Sequence, residues 1–268
     1  MDNSEIKDMV RARYGSIAAS KDGSQPKAAC CGAASEVGEK ARRMGYSEAE
    51  LASIPEGANL GLGCGNPGAI AKLRAGEVVV DLGSGAGFDC FLAAREVGPS
   101  GRVIGVDMTP EMLRKARENA AKIGALNVEF RLGELEHLPV ADNTADAVIS
   151  NCVVNLVPEK AQVYREAFRA LKPGGRLVLS DVVNKSPLPP DLKADRELLC
   201  GCVSGAARAE EIARWLEDAG FTEIRIVPKA ESRDLIATWA PGRGVENYVV
   251  SATIEGRKPA AHGAPASS

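Results

Sequence analysis

The segment from Val78 to Cys90, VVVDLGSGAGFDC, constrains the fold of this chain more than any other stretch. Its three consecutive valines predict a short, fully buried strand, and glycines follow at alternate positions, Gly83, Gly85 and Gly87. The residues from Phe88 onward have the pattern of a helix. Glycine is needed where the backbone turns with φ > 0 or touches a ligand, and a helix N-terminus directs N–H groups toward that ligand. The segment therefore predicts a ligand site at a strand–turn–helix junction.

Two acidic residues accompany this turn. Asp81 precedes the first glycine by two residues, and Asp107 follows Gly87 by 20 residues at the end of an apolar run. An acid at the second position binds ribose hydroxyls, but the third glycine comes one residue earlier than in the dinucleotide fingerprint G-x-G-x-x-G. Asp81 is better suited to a cation or an amine. The turn resembles that of the Rossmann-like methyltransferases, so we favour S-adenosylmethionine over a nicotinamide cofactor, and both over a turn that binds no ligand.

From about Leu73 the sequence alternates between predicted strands and helices. Strands are predicted near 77–81, 102–107, 127–132, 145–150 and 176–182, and helices near 88–97, 110–124 and 159–171. Alternation of this kind with apolar strands predicts an α/β fold with a mostly parallel sheet covered on both faces. A helix over 208–220 and runs at 222–228 and 247–254 are expected to complete the sheet.

We divide the chain into four parts. Residues 1–67 form an N-terminal extension that contains Cys30, Cys31 and Cys64, with a short helix ending near Tyr14-Gly15 and further helix signals over 36–52. Residues 68–183 form the cofactor-binding core. Residues 184–256 contain an inserted lid (184–207) and the end of the sheet. Residues 257–268 are rich in alanine, proline, glycine and serine, and we expect them to be a disordered tail.

Composition excludes several function classes. Acidic and basic residues number 36 and 33, so the chain lacks the charge expected of a protein that binds nucleic acid or an anionic membrane. No apolar run approaches the roughly 18 residues of a membrane span, and the charged first residues lack the apolar stretch of a secretory signal. Seven cysteines without such a signal indicate a reducing cytoplasm and thiols that take part in chemistry. We expect a cytoplasmic monomer.

Ligands of open α/β sheets bind beyond the carboxyl ends of the strands. Asn151 and Cys152 follow the fourth predicted strand and therefore fall at this edge. Asn151 is a candidate partner for the amino-acid end of the cofactor, whereas Cys152 either meets the substrate or packs as a small hydrophobic residue. Candidate cofactor contacts comprise the turn and the adenine pocket: Asp81, Gly83, Ser84, Gly85, Asp107, Met108, Glu134 and Leu135. For Met108, ordinary core packing is an equal alternative.

The chain offers thiols rather than a general base. Of its two histidines, His262 lies in the tail and His137 in a predicted loop. Cys64, Cys152 and Cys202 come from separate segments that can meet above the sheet edge. A structural zinc site is a weak interpretation because there is no C-x-x-C pair and no histidine partner. Three thiolates favour a soft acceptor.

The chain resembles the arsenite S-adenosylmethionine methyltransferases over about residues 8–256. The matching motifs are Gly63-Cys64-Gly65, DLGSGAGFDC ending at Cys90, IGVDMT ending at Thr109, SNCVVNLVP from Ser150 to Pro158, and CVSGA beginning at Cys202. The resemblance implies that Cys64, Cys152 and Cys202 bind trivalent arsenic, supplied as arsenite or its thiol conjugates, and that the protein serves arsenic detoxification. It also implies that Cys30 or Cys31 pairs with Cys64 during turnover, that Cys90 has an accessory redox role, and that thioredoxin or glutathione regenerates the thiols. For Cys200 it implies no role, and packing is the expectation.

Two other functions stay open at this point. A small-molecule C- or O-methyltransferase shares the predicted core, but such transfers usually need a base to remove a proton. A thiol-based arsenic sensor would bind without turnover, which the predicted cofactor pocket disfavours. A methyl-transfer assay with and without arsenite separates the three possibilities.

Overall fold

The computed structural model describes residues 2–20 and 34–260, so Cys30 and Cys31 lie outside the described residues. The strands of the described part are β1 Val78–Leu82, β2 Arg102–Asp107, β3 Val128–Leu132, β4 Ala145–Asn151, β5 Leu171–Asn184, β6 Ala207–Arg208, β7 Thr222–Pro228 and β8 Val249–Arg257. The α-helices are α1 Asn3–Ala19, α2 Ala34–Arg43, α3 Glu48–Ser53, α4 Pro67–Ala71, α5 Phe88–Val97, α6 Pro110–Ile123, α7 Lys160–Ala170, α8 Pro190–Lys193, α9 Arg196–Cys200, α10 Ala209–Ala219 and α11 Arg233–Ala237. Short 3₁₀ helices occupy Val154–Leu156, Ala230–Ser232 and Val245–Asn247.

The strands form one eight-stranded sheet in the order β3-β2-β1-β4-β5-β8-β7, with the short β6 paired to β5. Strands β1 to β5 run parallel to one another, whereas β8 is antiparallel to both β5 and β7. This confirms the predicted α/β class with a mostly parallel, Rossmann-like sheet. None of the helices in residues 2–20 and 34–260 has the length and apolar character needed to cross a membrane.

Both faces of the sheet are buried, which explains why its central strands are mostly apolar. Val80 and Leu82 of β1 pack into an apolar cluster on one face with α7 and α10, while Val79 packs into a second cluster with α5 on the other. Side chains alternate between faces along a strand, so helices on both sides require apolar residues at every position. All three β1 side chains are 0% exposed.

The strand order also determines where ligands can bind. The chain leaves β1 in one direction toward β2 and places β4 on the other side of β1, so the order reverses between β1 and β4. Crevices at such reversals, beyond the carboxyl ends of the strands, are the usual ligand sites of α/β sheets. Leu82 of β1 pairs with Ser150 of β4 and Val106 of β2. The residues just after these three positions therefore share one edge.

The N-terminal extension differs from its prediction. Helix α1 does not end near Tyr14-Gly15 but continues to Ala19. A Cβ on Gly15 would lie 3.1 Å from Oε2 of Glu111 in α6, so this glycine permits close helix packing and does not terminate the helix. The helix signals over 36–52 belong to two helices, α2 and α3, because the chain turns between them at Gly45 with φ +97°.

Two predicted boundaries near the sheet were also wrong. β5 begins at Leu171, directly after α7, and is longer than the predicted 176–182. The predicted tail over 257–268 begins too early, because β8 extends to Arg257. The Lys258 ammonium then donates to the carbonyl oxygens of Leu171 at 2.7 Å and Phe168 at 2.8 Å. The described chain ends at residue 260.

Candidate active site

The glycine turn between β1 and α5 has the positive φ angles that its glycines predict. Gly83, Gly85 and Gly87 have φ values of +72°, +51° and +93°. The N–H groups of Gly83 and Ser84 donate to the Val106 carbonyl of β2 at 2.8 and 3.0 Å. The Gly85 N–H donates to Oδ2 of Asp107 at 2.9 Å. The turn is therefore bonded to the end of β2, and it brings both predicted acids to one place.

A cavity lies over this turn, and most of the predicted cofactor contacts line it. The lining residues predicted from sequence are Asp81, Gly83, Ser84, Gly85, Asp107, Met108, Leu135 and Asn151. Cys152 reaches the same cavity. Glu134 is not among the lining residues, since its carboxylate instead pairs with Lys7 at 2.6 Å and Arg11 at 3.5 Å. The neighbouring Glu136 lines the cavity in its place.

Helix α1 covers part of this cavity, which the sequence did not predict. Lys7, Val10 and Tyr14 of α1 line it. The Lys7 ammonium holds the helix down through ion pairs to Glu134 at 2.6 Å and to the buried Glu136 at 3.0 Å. These ion pairs depend on the position of the loop after β3, which the sequence does not specify.

Two buried carboxyl groups face the cavity. Burial, followed by the charge of Asp89, raises the pKa of Asp81 to about 8, and the Cys90 thiol donates to its Oδ2 at 3.1 Å. Burial also raises the pKa of Asp89 to about 6, although hydrogen bonds from Tyr46 and Asn151 lower it in part. Neither carboxyl is ion-paired with a basic side chain within residues 2–20 and 34–260. A cationic ligand would relieve the cost of ionising them.

The residues of this cavity fit S-adenosylmethionine. Its sulfonium and ammonium groups are cations, as Asp81 and Asp89 require. Oγ of Ser84 is buried in the turn and has no hydrogen-bond partner among the described residues, and such an atom is costly unless a ligand bonds it. The carboxylate of Asp107 stands at the end of β2, where an acid suits ribose hydroxyls.

Three thiols from distant segments belong to one buried cluster. Cys152 lines the cofactor cavity, Cys152 and Cys202 line a neighbouring pocket, and Cys64 lines another. Cys64, Cys152 and Cys202 are 4%, 5% and 3% exposed and share one apolar cluster. The Cys202 thiol donates to the Cys152 carbonyl at 2.9 Å, and the Cys64 thiol donates to the Ser180 carbonyl at 3.4 Å. Burial and then the adjacent Cys152 thiol raise the pKa of Cys64 well above its usual range. The hydrogen bond with Cys202 does the same for the pKa of Cys152.

Two of these cysteines have unusual backbone conformations. Cys152 and Cys202 have φ values of +61° and +63°, in the left-handed region. A residue with a side chain rarely adopts this conformation, and such strain costs of order 1–3 kcal/mol and concentrates at functional sites. The Cys152 N–H donates to the Ser180 carbonyl at 2.7 Å, which holds the strained residue against β5.

Asp181 is a site residue that the sequence reasoning missed. One of its carboxylate oxygens and the sulfur atoms of Cys152 and Cys202 all lie within 4.8 Å of one another. Oδ1 accepts hydrogen bonds from Nδ2 of Asn155 at 2.9 Å and from the Val182 N–H at 2.7 Å. Burial raises the pKa of Asp181 to about 6. Topology offered a signal, because β5 pairs with β4 and Ser180 lies opposite Asn151.

Two further cysteines, Cys90 and Cys200, lie in the described part of the chain. Cys90 is 0% exposed in α5 and belongs to the apolar cluster on the other face of the sheet. Cys200 packs in the same cluster as the three thiols, and its carbonyl accepts a hydrogen bond from the Tyr14 hydroxyl at 3.1 Å. The packing expected for Cys200 agrees with this position.

Comparisons with known proteins agree with this geometry. Residues 73–220 match the family described as "Methyltransferase domain". An arsenite methyltransferase of Halobacterium salinarum is 52% identical over 267 residues, which span 97% of this chain and 68% of the relative. An arsenite methyltransferase of Aquipseudomonas alcaligenes is 44% identical over 156 residues, or 56% of this chain and 45% of the relative. The crystal structure of CrArsM, an arsenic(III) S-adenosylmethionine methyltransferase from Chlamydomonas reinhardtii, superposes with a TM-score of 0.60 at 33% identity and covers 84% of this chain and 74% of that chain.

Proposed function

The chain belongs to the arsenite methyltransferase family, and on that premise we propose that it methylates arsenite held by the thiolates of Cys64, Cys152 and Cys202. S-adenosylmethionine is the methyl donor of this proposal. The observation that supports it most is the clustering of three buried thiols around Cys152, which itself lines a cavity. Two carboxyl groups in that cavity have no ion-pair partner among residues 2–20 and 34–260. Arsenic in its trivalent state forms three bonds, so three thiols match its valence.

When arsenite binds, the three oxygen ligands of arsenic are replaced by three cysteine sulfurs. Each thiol forms one sulfur–arsenic bond, and its proton leaves with one hydroxide of arsenite as water. Three such exchanges balance with the release of three waters, so no separate base is needed. Burial keeps the thiols protonated beforehand, since the pKa values of Cys64 and Cys152 are raised well above their usual range. Arsenite itself therefore removes the protons.

Methyl transfer then needs positioning rather than acid–base chemistry. Arsenic bound by three sulfurs keeps a lone pair and carries no proton. S-adenosylmethionine, when bound, supplies an electrophilic methyl group on a sulfonium. Asp81 and Asp89, which line the cavity, would supply the negative charge for this cation, and α1, which lines it too, would keep water out. Holding two reactants in line in this way is worth effective molarities of about 10⁵ M or more.

Turnover requires a reductant in this proposal. Transfer of a methyl cation raises the oxidation state of arsenic by two, and two thiolates return these electrons when they join as a disulfide. A thioredoxin or glutathione thiol would then reduce that disulfide and release the product. Cys30 or Cys31 is the proposed partner of Cys64 in this step, and Cys90 a proposed accessory thiol. We place the reaction in the cytoplasm, in a monomer, as a detoxification step.

Arsenic speciation after incubation with arsenite, S-adenosylmethionine and a thiol tests the proposal. We expect methylated arsenic from the wild-type chain and none from Cys152→Ser or Cys202→Ser, while both variants still bind the cofactor. Cys200→Ser is the matched control, because Cys200 lies two residues from Cys202 in the same apolar cluster. Methylation by both cysteine variants would refute the assignment of the thiols.

A further inference from the structure

Asn151 uses its side chain to hold the loop that carries Cys64. Its Oδ1 accepts the Cys64 N–H at 2.9 Å, and its Nδ2 donates to the Gly65 carbonyl at 2.7 Å. The two contacts fix the orientation of the amide, because a backbone N–H can only donate and a carbonyl can only accept. One side chain therefore bonds the backbone on both sides of the Cys64 side chain.

Sterics restrict the same contact from the loop. A Cβ on Gly63 would lie 2.7 Å from Nδ2 and 2.9 Å from Oδ1 of Asn151. A glycine is thus required before Cys64 if the amide is to approach the backbone this closely. Gly65 is similarly crowded, since a Cβ there would meet Oγ of Ser180. The two glycines that flank Cys64 therefore allow this loop to pack closely against the ends of β4 and β5.

The other contacts of Asn151 reach the cofactor cavity. Nδ2 lies 3.0 Å from Oδ2 of Asp89 and 2.9 Å from the Tyr46 hydroxyl, and that hydroxyl donates to Oδ1 of Asp89 at 2.6 Å. Asp89 is in the first turn of α5, after the glycine turn, and both Asp89 and Tyr46 line the cavity. The amide hydrogens of Asn151 are engaged by protein acceptors, which leaves little capacity for a direct bond to the cofactor.

We infer that Asn151 is a positioning residue that sets the spacing between the Cys64 and Cys152 sulfurs. Its side chain holds the first cysteine, and its own backbone leads directly into the second. The inference rests on the proposed function and deepens it.

The valence of the substrate provides a test that a general loss of structure would not mimic. Arsenite has three exchangeable hydroxyls, whereas methylarsenous acid has two and needs only two thiols. Cys152 and Cys202 are the pair placed to supply these two thiols, since their sulfur atoms lie within 4.8 Å of each other. A residue that positions only Cys64 therefore affects arsenite and spares methylarsenous acid.

The test is to compare steady-state methylation of both arsenicals by the wild type, Asn151→Ala and Cys64→Ala. We expect Asn151→Ala to behave like Cys64→Ala, with arsenite turnover reduced by about 10²-fold, as misplacement of a reacting group can cause. At saturating S-adenosylmethionine, methylarsenous acid turnover should stay within about twofold of wild type, the scatter of an uncoupled site.

Two further variants provide an independent test of the contact and a matched control. Gly63→Ala displaces the same contact from the loop and should produce the same selective loss, which keeps the test available if Asn151→Ala does not fold. Asn66→Ala is the matched control, because Asn66 is a buried asparagine on the same loop that caps α4. Its ratio of arsenite to methylarsenous acid turnover should equal that of wild type.

The outcomes separate the two hypotheses. Equal losses on both arsenicals would mean that Asn151 serves the cofactor, and no loss on either would mean that it does not position Cys64, so either result overturns the inference alone. A wild-type chain that methylates neither arsenical overturns the proposed function and this inference together.

Discussion

Replacing Gly83 with alanine probes the turn on which the cofactor site depends. Gly83 has φ +72°, and holding an alanine in this left-handed region costs roughly 1–2 kcal/mol. The added Cβ would also lie 2.5 Å from both Cγ atoms of Val153. Overpacking of this kind typically costs about 1–3 kcal/mol. We therefore expect Gly83→Ala to lower the free energy of unfolding by about 2–5 kcal/mol.

The collision with Val153 can be measured separately from the backbone cost. Gly124, at the C-terminus of α6, has φ +62°, and a Cβ there would meet nothing within 4 Å. Gly124→Ala thus carries the conformational cost alone, about 1–2 kcal/mol. The double variant Gly83→Ala/Val153→Ala removes the collision and should recover part of the loss.

Thermal unfolding followed by circular dichroism compares these variants. A change of 1 kcal/mol shifts the melting temperature by roughly 2–4 °C in a protein of this size. Gly83→Ala should therefore melt about 4–20 °C below wild type, and clearly below Gly124→Ala. If Gly83→Ala were as stable as Gly124→Ala, Val153 would not lie against the turn as the structure shows. The argument that a glycine is needed at position 83 for space as well as for conformation would then be refuted.

Three further predictions test the site. The pKa of Asp81 is about 8 in the folded state and near 4 when unfolded, so the contribution of this group to stability is present below pH 4 and is lost as pH rises from 4 toward 8. Asp81→Asn should flatten this slope in melting experiments, and an unchanged slope would contradict the burial of that acid. Cys200→Ala should retain arsenite as the wild type does, whereas Cys202→Ala, which keeps only two of the three thiols, should bind it more weakly and lose arsenic during gel filtration; equal retention by the two would contradict the thiol assignment. Lys7→Met leaves the buried Glu136 unpaired at a cost of about 1–3 kcal/mol, so it should weaken S-adenosylmethionine binding by about tenfold in calorimetry while Lys7→Arg restores it. Unaltered affinity would show that α1 does not cover the bound cofactor.

The framework of the fold was predictable because its signals are local. Val78 to Val80 form a strand that is buried on both faces, and the glycines that follow have the positive φ that a tight turn requires. The start of α3 is also fixed locally, since Ser47 and Glu50 form a capping box with hydrogen bonds at 2.7 and 3.2 Å. Each of these features depends on residues within a few positions of one another.

What could not be predicted depends on contacts between distant residues. Glycine is common at helix ends, so Gly15 predicted the end of α1. In the structure it instead lies against Glu111 of α6, about a hundred residues away in the sequence. Glu134 and Glu136 are both acids in one loop, and only the direction of each side chain decides which one lines the cavity. These outcomes follow from tertiary packing, which overrides local pattern.

The thiol site could be predicted from the sequence only in part. The position of Cys152 after a strand placed it at the ligand edge, as the topology required. Asp181 sits on the adjacent strand near the same edge, but an acid inside an apolar run does not reveal its neighbours. The role we propose for Asn151 depends on a loop 87 positions earlier in the chain.

Arsenic K-edge X-ray absorption on the arsenite-loaded protein tests the central claim most directly, because it counts the atoms bonded to arsenic. The account predicts three sulfur neighbours and no oxygen for the wild type, and two sulfurs with one oxygen for Cys64→Ser. A wild-type spectrum with an oxygen in the first shell, or one unchanged by the loss of Cys64, would contradict it.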